Sequence, residues 1–161
     1  MLEPIPLSER RRDLWLIAGF LVFASTSVFV DRLAALDVDF CGQRSLFGAL
    51  CWYGRNLDPL FLANPQWLRV MSGISAWVFG PLYLLFAWAF WRGVDAVRWP
   101  TIAWAVAILY SMVVHLWMEF FGPAPAPHPG LLTLIYLPYV LLPMLALARL
   151  RGERPFSRVR A

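Results

Sequence analysis

Residues 70–91 read VMSGISAWVFGPLYLLFAWAFW, a run from Val70 to Trp91 without a single Asp, Glu, Lys or Arg. At 1.5 Å rise per residue, about 20 apolar residues cross roughly 30 Å of hydrocarbon. A soluble core helix is rarely so long and so apolar on every face. Three further stretches share the property: Leu14–Val30, Trp99–Met118 and Leu131–Ala148. Hydrophobic residues make up 60% of the chain and charged ones 15%, where soluble domains carry about a quarter charged. The reading is an all-α integral membrane four-helix bundle.

The charges outside these runs set a direction. All the basic residues are arginine. Arg10, Arg11 and Arg12 precede the first run, Arg92 and Arg98 flank the link between the second and third, and Arg149, Arg151, Arg154, Arg158 and Arg160 follow the fourth. The opposite side holds only Arg32, Arg44, Arg55 and Arg69. The excess marks the first side as cytoplasmic, so both termini are expected there. The arginines read as topology signals and lipid headgroup contacts. A nucleic-acid surface needs a folded basic face, and no soluble domain is available to carry one. The first run resembles a signal peptide, but it is long for one, and Asp31-Arg32 stands where small residues would precede cleavage. The expected localisation is multi-pass, in a bacterial inner membrane or, in a eukaryote, the endoplasmic reticulum.

Residues 10–150 are expected to form one membrane domain and residues 151–161 a basic cytoplasmic tail. Residues 31–69 form a long extracytoplasmic segment. It is apolar, with Leu46, Phe47, Leu50, Trp52, Tyr53, Leu60, Phe61, Leu62, Trp67 and Leu68, so it should fold onto the bundle or lie in the interface. Asp58-Pro59 looks like a helix start, with Asp as N-cap and Pro at the first position. Pro123, Pro125, Pro127 and Pro129 make the run Gly122–Gly130 extended. Pro81, Pro138 and Pro143 fall inside spans and should bend them. Trp15, Trp67, Trp91 and Trp99 sit near span ends, as interfacial belts do. Cys41 and Cys51 are too few for a metal site; they are either a disulfide, if that side is oxidising, or two buried thiols. The Cys-x-x-Cys pair of a vitamin K epoxide reductase-like thiol enzyme is absent.

Ionisable groups at membrane depth are costly and usually have a task. Asp31, Asp58, His115 and Glu119 are placed by the span directions at a similar, extracytoplasmic depth. Ser111, His115 and Glu119 are spaced i, i+4, i+8 and share one helix face. Tyr136 and Tyr139 lie in the outer half of the fourth span. The bland alternatives are interfacial caps for Asp31 and Asp58, a Glu119 that reaches water, and a neutral His115 that only holds Glu119. The common depth favours a site. A carboxylic acid in an apolar pocket can keep its proton at neutral pH, and ring faces stabilise a cation. Together they suit protonation of an alkene, a carbocation, and loss of a neighbouring proton to a base.

Several strings resemble the EXPERA-domain membrane proteins, the sigma-2 receptor branch most closely, with the emopamil-binding sterol isomerase as the sister branch. They are Val30-Asp31-Arg32-Leu33; Trp52-Tyr53, Asp58-Pro59-Leu60 and Pro65-Gln66-Trp67; Pro81; Trp99-Pro100; and Leu132-Thr133-Leu134 with Tyr136-Leu137-Pro138-Tyr139-Val140-Leu141-Leu142-Pro143. The resemblance covers about residues 10–150. It implies four helices around an apolar pocket open to lipid, taking sterol-like or amine ligands, with Asp31, Asp58, Tyr136 and Tyr139 at the family's ligand-contacting positions. Two departures stand out. The family's glutamate six residues before the second-span proline is Ser75 here, and Phe23 stands near the first-span histidine.

The expectation is therefore an enzyme acting on a sterol- or terpenoid-like lipid, as isomerase or cyclase, without a cofactor or metal. Asp58 and Glu119 are its acid and base, His115 orients Glu119, and Asp31 balances charge. Trp52, Ser75, Ser111, Tyr136 and Tyr139 join Asp31 and Asp58 in ligand binding. The alternative is a non-catalytic binder or transporter of sterols or lipophilic amines. Expected partners are such a hydrophobic small molecule and membrane lipid, with a homodimer left open and nucleic acid excluded.

Overall fold

The computed structural model describes residues 2–42 and 47–159; Arg44, Leu46 and Arg160 lie outside the described residues. Four helices are long and apolar enough to cross a membrane: α1 Asp13–Ala35, α4 Gln66–Arg92, α5 Asp95–Phe121 and α6 Pro129–Arg149. Short helices α2 Gly48–Asn56 and α3 Pro59–Ala63 lie between α1 and α4. Each span outruns its charge-free stretch, because helix ends at the interface tolerate charge. The segment expected over 31–69 therefore shrinks to 36–65. Cys41 and Cys51 form a disulfide. Gly54 lets α2 lie on α3: a Cβ there would sit 2.3 Å from Leu62 Cγ. The proline-rich link is non-helical up to His128, but Pro129 and Gly130 belong to α6. A proline is tolerated at the first helical position, where the missing N–H has no partner to lose.

Helix α1 packs along α4, and α5 along α6. The half of the bundle nearest the chain termini is solid. Phe20 is its hub, with the rings of Tyr83, Phe86, Phe90 and Trp104 centred between 5.4 and 6.5 Å away. All five side chains are buried. Outward faces carry large apolar residues such as Trp15, Phe29, Val113 and Leu134, a pattern a lipid-facing surface explains and a water-facing one does not.

The termini seal this solid end. Strand β1 (Leu2–Pro4) pairs antiparallel with β2 (Ser157–Val159). Phe156 is fully buried against Phe90. Asp13, at the mouth of α1, takes Arg10 Nη1 at 2.6 Å and Arg149 Nε at 2.6 Å. Both guanidiniums lie over the Phe156 ring. Arg10 also donates to the carbonyls of Ile5 and Phe90, which leaves α4 near the left-handed Gly93 that ends it. Asp95 accepts from Phe156 N and Ser157 Oγ. Residues 155–159 thus fold back under the bundle. Arg10, Arg98 and Arg149 hydrogen-bond protein groups, so lipid is not their only partner.

Two wide π-helical turns face each other in the other half, Ser27–Asp31 in α1 and Ser75–Phe79 in α4. The second ends just before Pro81. A proline cannot bond the carbonyl four residues back and its ring crowds it, and a widened turn relieves that crowding. Such π-bulges inside α-helices are frequent at functional sites.

Removing one partner of a buried ion pair leaves an uncompensated charge, which destabilises by about 3–5 kcal/mol. Asp13→Asn should therefore lower the thermal unfolding midpoint of the detergent-solubilised protein sharply. Glu9→Gln, which breaks the exposed Glu9–Arg158 pair, should change stability by less than about 1 kcal/mol. Equal effects would refute the sealing role of Asp13.

Candidate functional site

Away from the aromatic hub the four spans part around a half-open cavity of about 980 Å³. Leu50, Tyr53 and Phe61 of α2 and α3 close one end. Toward the hub it ends on Tyr139, stacked on Phe23 with ring centres 4.4 Å apart. Most of the wall is aliphatic or aromatic. The polar groups sit on two sides.

The first side belongs to the paired π-turns. Ser75 Oγ donates to Asp31 Oδ2 at 2.6 Å, and Ser27 Oγ lies 3.1 Å from Ser75 Oγ. The wide turns bring these three side chains together at the α1–α4 seam, and Asp31 and Ser75 both line the cavity. Tyr139 OH donates to Thr26 Oγ1 nearby, at 3.4 Å.

The second side is built in two layers. Asp58 is fully buried and caps α3, with Oδ1 accepting from Phe61 N at 2.7 Å. Its Oδ2 accepts from Tyr53 OH at 2.8 Å and Tyr136 OH at 2.7 Å. Those two tyrosines line the cavity; Asp58 stands behind them. His115 also lines the cavity, its ring 4.5 Å from that of Tyr136. Behind it lies Glu119, fully buried, with Oε1 3.4 Å from His115 Nε2. Both Glu119 oxygens and His115 Nε2 are buried without a hydrogen-bond partner. One donor atom each from Asp58, His115 and Glu119 lie within 4.8 Å of one another, so these three side chains could hold a metal ion. Burial first, and then the charge of Asp58, pushes the Tyr53 phenol well above its ordinary range.

The ionisable residues form two groups rather than one: Asp58, His115 and Glu119 come together, and Asp31 lines the same cavity apart from them. Asp31 and Ser75 face Asp58, His115 and Glu119 from another wall. Ser111 lines the cavity, yet its hydroxyl donates to the Ile108 carbonyl 2.8 Å away. Tyr136 and Tyr139 line it as expected. Trp52 does not: it is 60% exposed, because α2 turns the adjacent Tyr53 inward instead. Successive helical residues point about 100° apart, so only one of the pair can face the cavity. Tyr53 and Trp67 were missed as site residues. Tyr53 is three residues beyond Leu50 on the same face, a signal the spacing carried. Trp67 looked like an interfacial belt residue, but α4 starts at Gln66 and turns it toward His115, with ring centres 6.4 Å apart.

These features define a class: a polytopic helical membrane protein whose spans frame a ligand-sized apolar cavity lined by a carboxyl and several phenols. The family model for EXPERA (EXPanded EBP superfamily) matches residues 47–150, and the chain belongs to that family. No curated protein and no solved structure matches it significantly.

A hydrogen bond to a carboxylate contributes roughly 1.5–3 kcal/mol. Tyr136→Phe should therefore destabilise the protein by about that amount, read by thermal unfolding. The raised Tyr53 pKa also gives a sign for pH. The native state keeps a phenol proton that the unfolded chain releases near pH 10.0. That contribution is complete below this pH and is lost as pH rises above it. Tyr53→Phe should flatten the alkaline fall of the unfolding midpoint; an unchanged slope would refute the assignment.

Proposed function

We propose that this protein is a membrane-embedded enzyme acting on a sterol- or terpenoid-like lipid by protonation and deprotonation through a carbocation, as a double-bond isomerase or cyclase. One observation carries the reading: an apolar cavity of about 980 Å³ has a carboxyl, Asp31, on one side and His115, Tyr53 and Tyr136 on the other. In such a reaction the alkene π electrons take a proton from an acid, forming a C–H bond and a cation. A neighbouring C–H bond then breaks, its electrons form the new alkene, and its proton goes to a base. No electron changes hands and no oxidant is consumed. Asp31 is the carboxyl nearest the substrate. The opposite side acts through its inner layer, Tyr53 and Tyr136 backed by Asp58 and His115 backed by Glu119. The rings of Tyr136, Tyr139 and Trp67 can stabilise the cation between them.

A second reading rests on the same wall. A carboxyl beside ring faces also suits a lipophilic ammonium, and Ser75 stands where the resemblance leads one to expect a glutamate. On that reading the protein binds or carries sterols or lipophilic amines without converting them. In both, the partners are a hydrophobic small molecule and membrane lipid. Residues 10–150 form the single membrane domain, residues 151–161 a basic cytoplasmic tail, and both termini lie on the cytoplasmic side. The Cys41–Cys51 disulfide supports the orientation, since it suits an oxidising compartment.

Lipids that co-purify with the protein, identified by mass spectrometry, supply the substrates to test. Conversion of one of them by purified protein in detergent, without added cofactor, is the expected result. Asp31→Asn should slow it about 10²- to 10⁴-fold, the usual contribution of a positioned acid or base. An unchanged rate would remove Asp31 from the chemistry, and tight amine binding with no conversion would establish the second reading. Reporter fusions at both termini should report the cytoplasm; an outward report from either would overturn the orientation.

A further inference from the structure

Glu119 poses an unsolved charge problem. It is fully buried, both its oxygens lack a hydrogen bond, and the nearest cationic candidate, His115 Nε2, is itself buried and unbonded at 3.4 Å. Asp58, equally buried, stands beside it. Among the described residues no arginine pairs with either carboxyl. Two carboxyls at this depth need positive charge or protons, since an isolated buried carboxylate is prohibitively costly.

The spacing favours an ion. One donor atom from each of Asp58, His115 and Glu119 lies within 4.8 Å of the others. Two metal–ligand bonds of about 2.0–2.2 Å meeting at a tetrahedral angle set ligand atoms about 3.3–3.6 Å apart; His115 Nε2 and Glu119 Oε1 already stand 3.4 Å apart, and Asp58 closes the rest by a side-chain movement of about 1 Å. The donor set is one imidazole nitrogen and two carboxylates, which suits zinc and its first-row neighbours better than calcium or magnesium. Asp58 is already oriented as a ligand. It accepts three hydrogen bonds, from Tyr53, Tyr136 and Phe61, and a carboxylate has about four acceptor sites, so one remains. Outer-layer donors of this kind fix metal ligands in place.

We propose that Asp58, His115 and Glu119 form a binding site for one divalent transition-metal ion of the zinc class. The ion neutralises the two carboxylates in the inner layer, with Tyr53, Tyr136 and the His115 ring in front of it on the cavity wall. The site stands on its own geometry and does not depend on the catalytic reading.

The test uses the full chain, carrying a tag without histidine, in detergent. It is stripped with a chelator, exposed to zinc alone, desalted, and assayed for metal by mass spectrometry. About one zinc per chain is expected, with a raised unfolding midpoint. Glu119→Gln and His115→Gln should each abolish retention. Tyr136→Phe, which removes only an outer-layer donor, should weaken zinc about 10- to 100-fold. Near-native unfolding of the zinc-free variants and an intact Cys41–Cys51 bridge guard against misfolding. No retained zinc in the wild type, or equal zinc in wild type and the Glu119→Gln/His115→Gln double variant, would overturn the proposal. Metal content is read without substrate, so its failure is separate from failure of the lipid chemistry.

Discussion

A carboxylate in hydrocarbon has no water to solvate it, so every buried acid in this chain has to be answered by something the fold brings to it. Asp13 is answered by two guanidiniums, one from the lead before α1 and one from the end of α6. To deliver them, the two termini must meet, and they do so as a strand pair over a buried Phe156. Asp31 is answered by Ser75, which requires α1 and α4 to touch at their wide turns. Asp58 is answered by two phenols and a backbone amide, which ties α2 and α3 to α6. Much of the tertiary arrangement can be read as the means of placing these partners.

The backbone serves the same end. The wide turn before Pro81 relieves a crowded carbonyl, and the α1 turn facing it brings Ser27 and Asp31 toward the same seam. Below that seam, the Phe20 hub fills the bundle with interlocking rings. Above it, α2 and α3 contribute Leu50, Tyr53 and Phe61 to the end wall without filling the space between the spans. A bundle solid at one end and hollow at the other follows from where the aromatic residues are concentrated.

The spans, the Asp58 cap and the shared face of His115 and Glu119 were legible because each rests on local rules: length against hydrocarbon thickness, a cap followed by proline, and period against helix face. What escaped depended on distant parts of the chain. The arginines near the termini looked like solvated topology signals, and only the pairing of Leu2–Pro4 with Ser157–Val159 shows why Arg10 is buried. Trp52 and Tyr53 are neighbours of similar composition, and which one faces inward is set by how α2 lies on α3, through Gly54 and Leu62. The division of the acids between two walls depends on how α1, which carries Asp31, stands across the cavity from α5, which carries Glu119, and no single span records that.

Asp13 and Glu119 make the sharpest contrast in the molecule. Both are essentially without exposure. One is paired twice over at the solid end; the other, beside the cavity, has both oxygens unbonded. A protein that only needed four spans would gain by replacing Glu119 with a residue of similar shape and no charge, since an unsatisfied buried group destabilises by a few kcal/mol. Stability is instead concentrated where the termini lock, and the local conflict is kept next to the cavity. Functional sites are where agreement between levels of structure characteristically breaks down. Glu119 sits one layer behind the wall rather than on it, so the His115 ring, and not the carboxyl 3.4 Å behind it, is what the cavity meets.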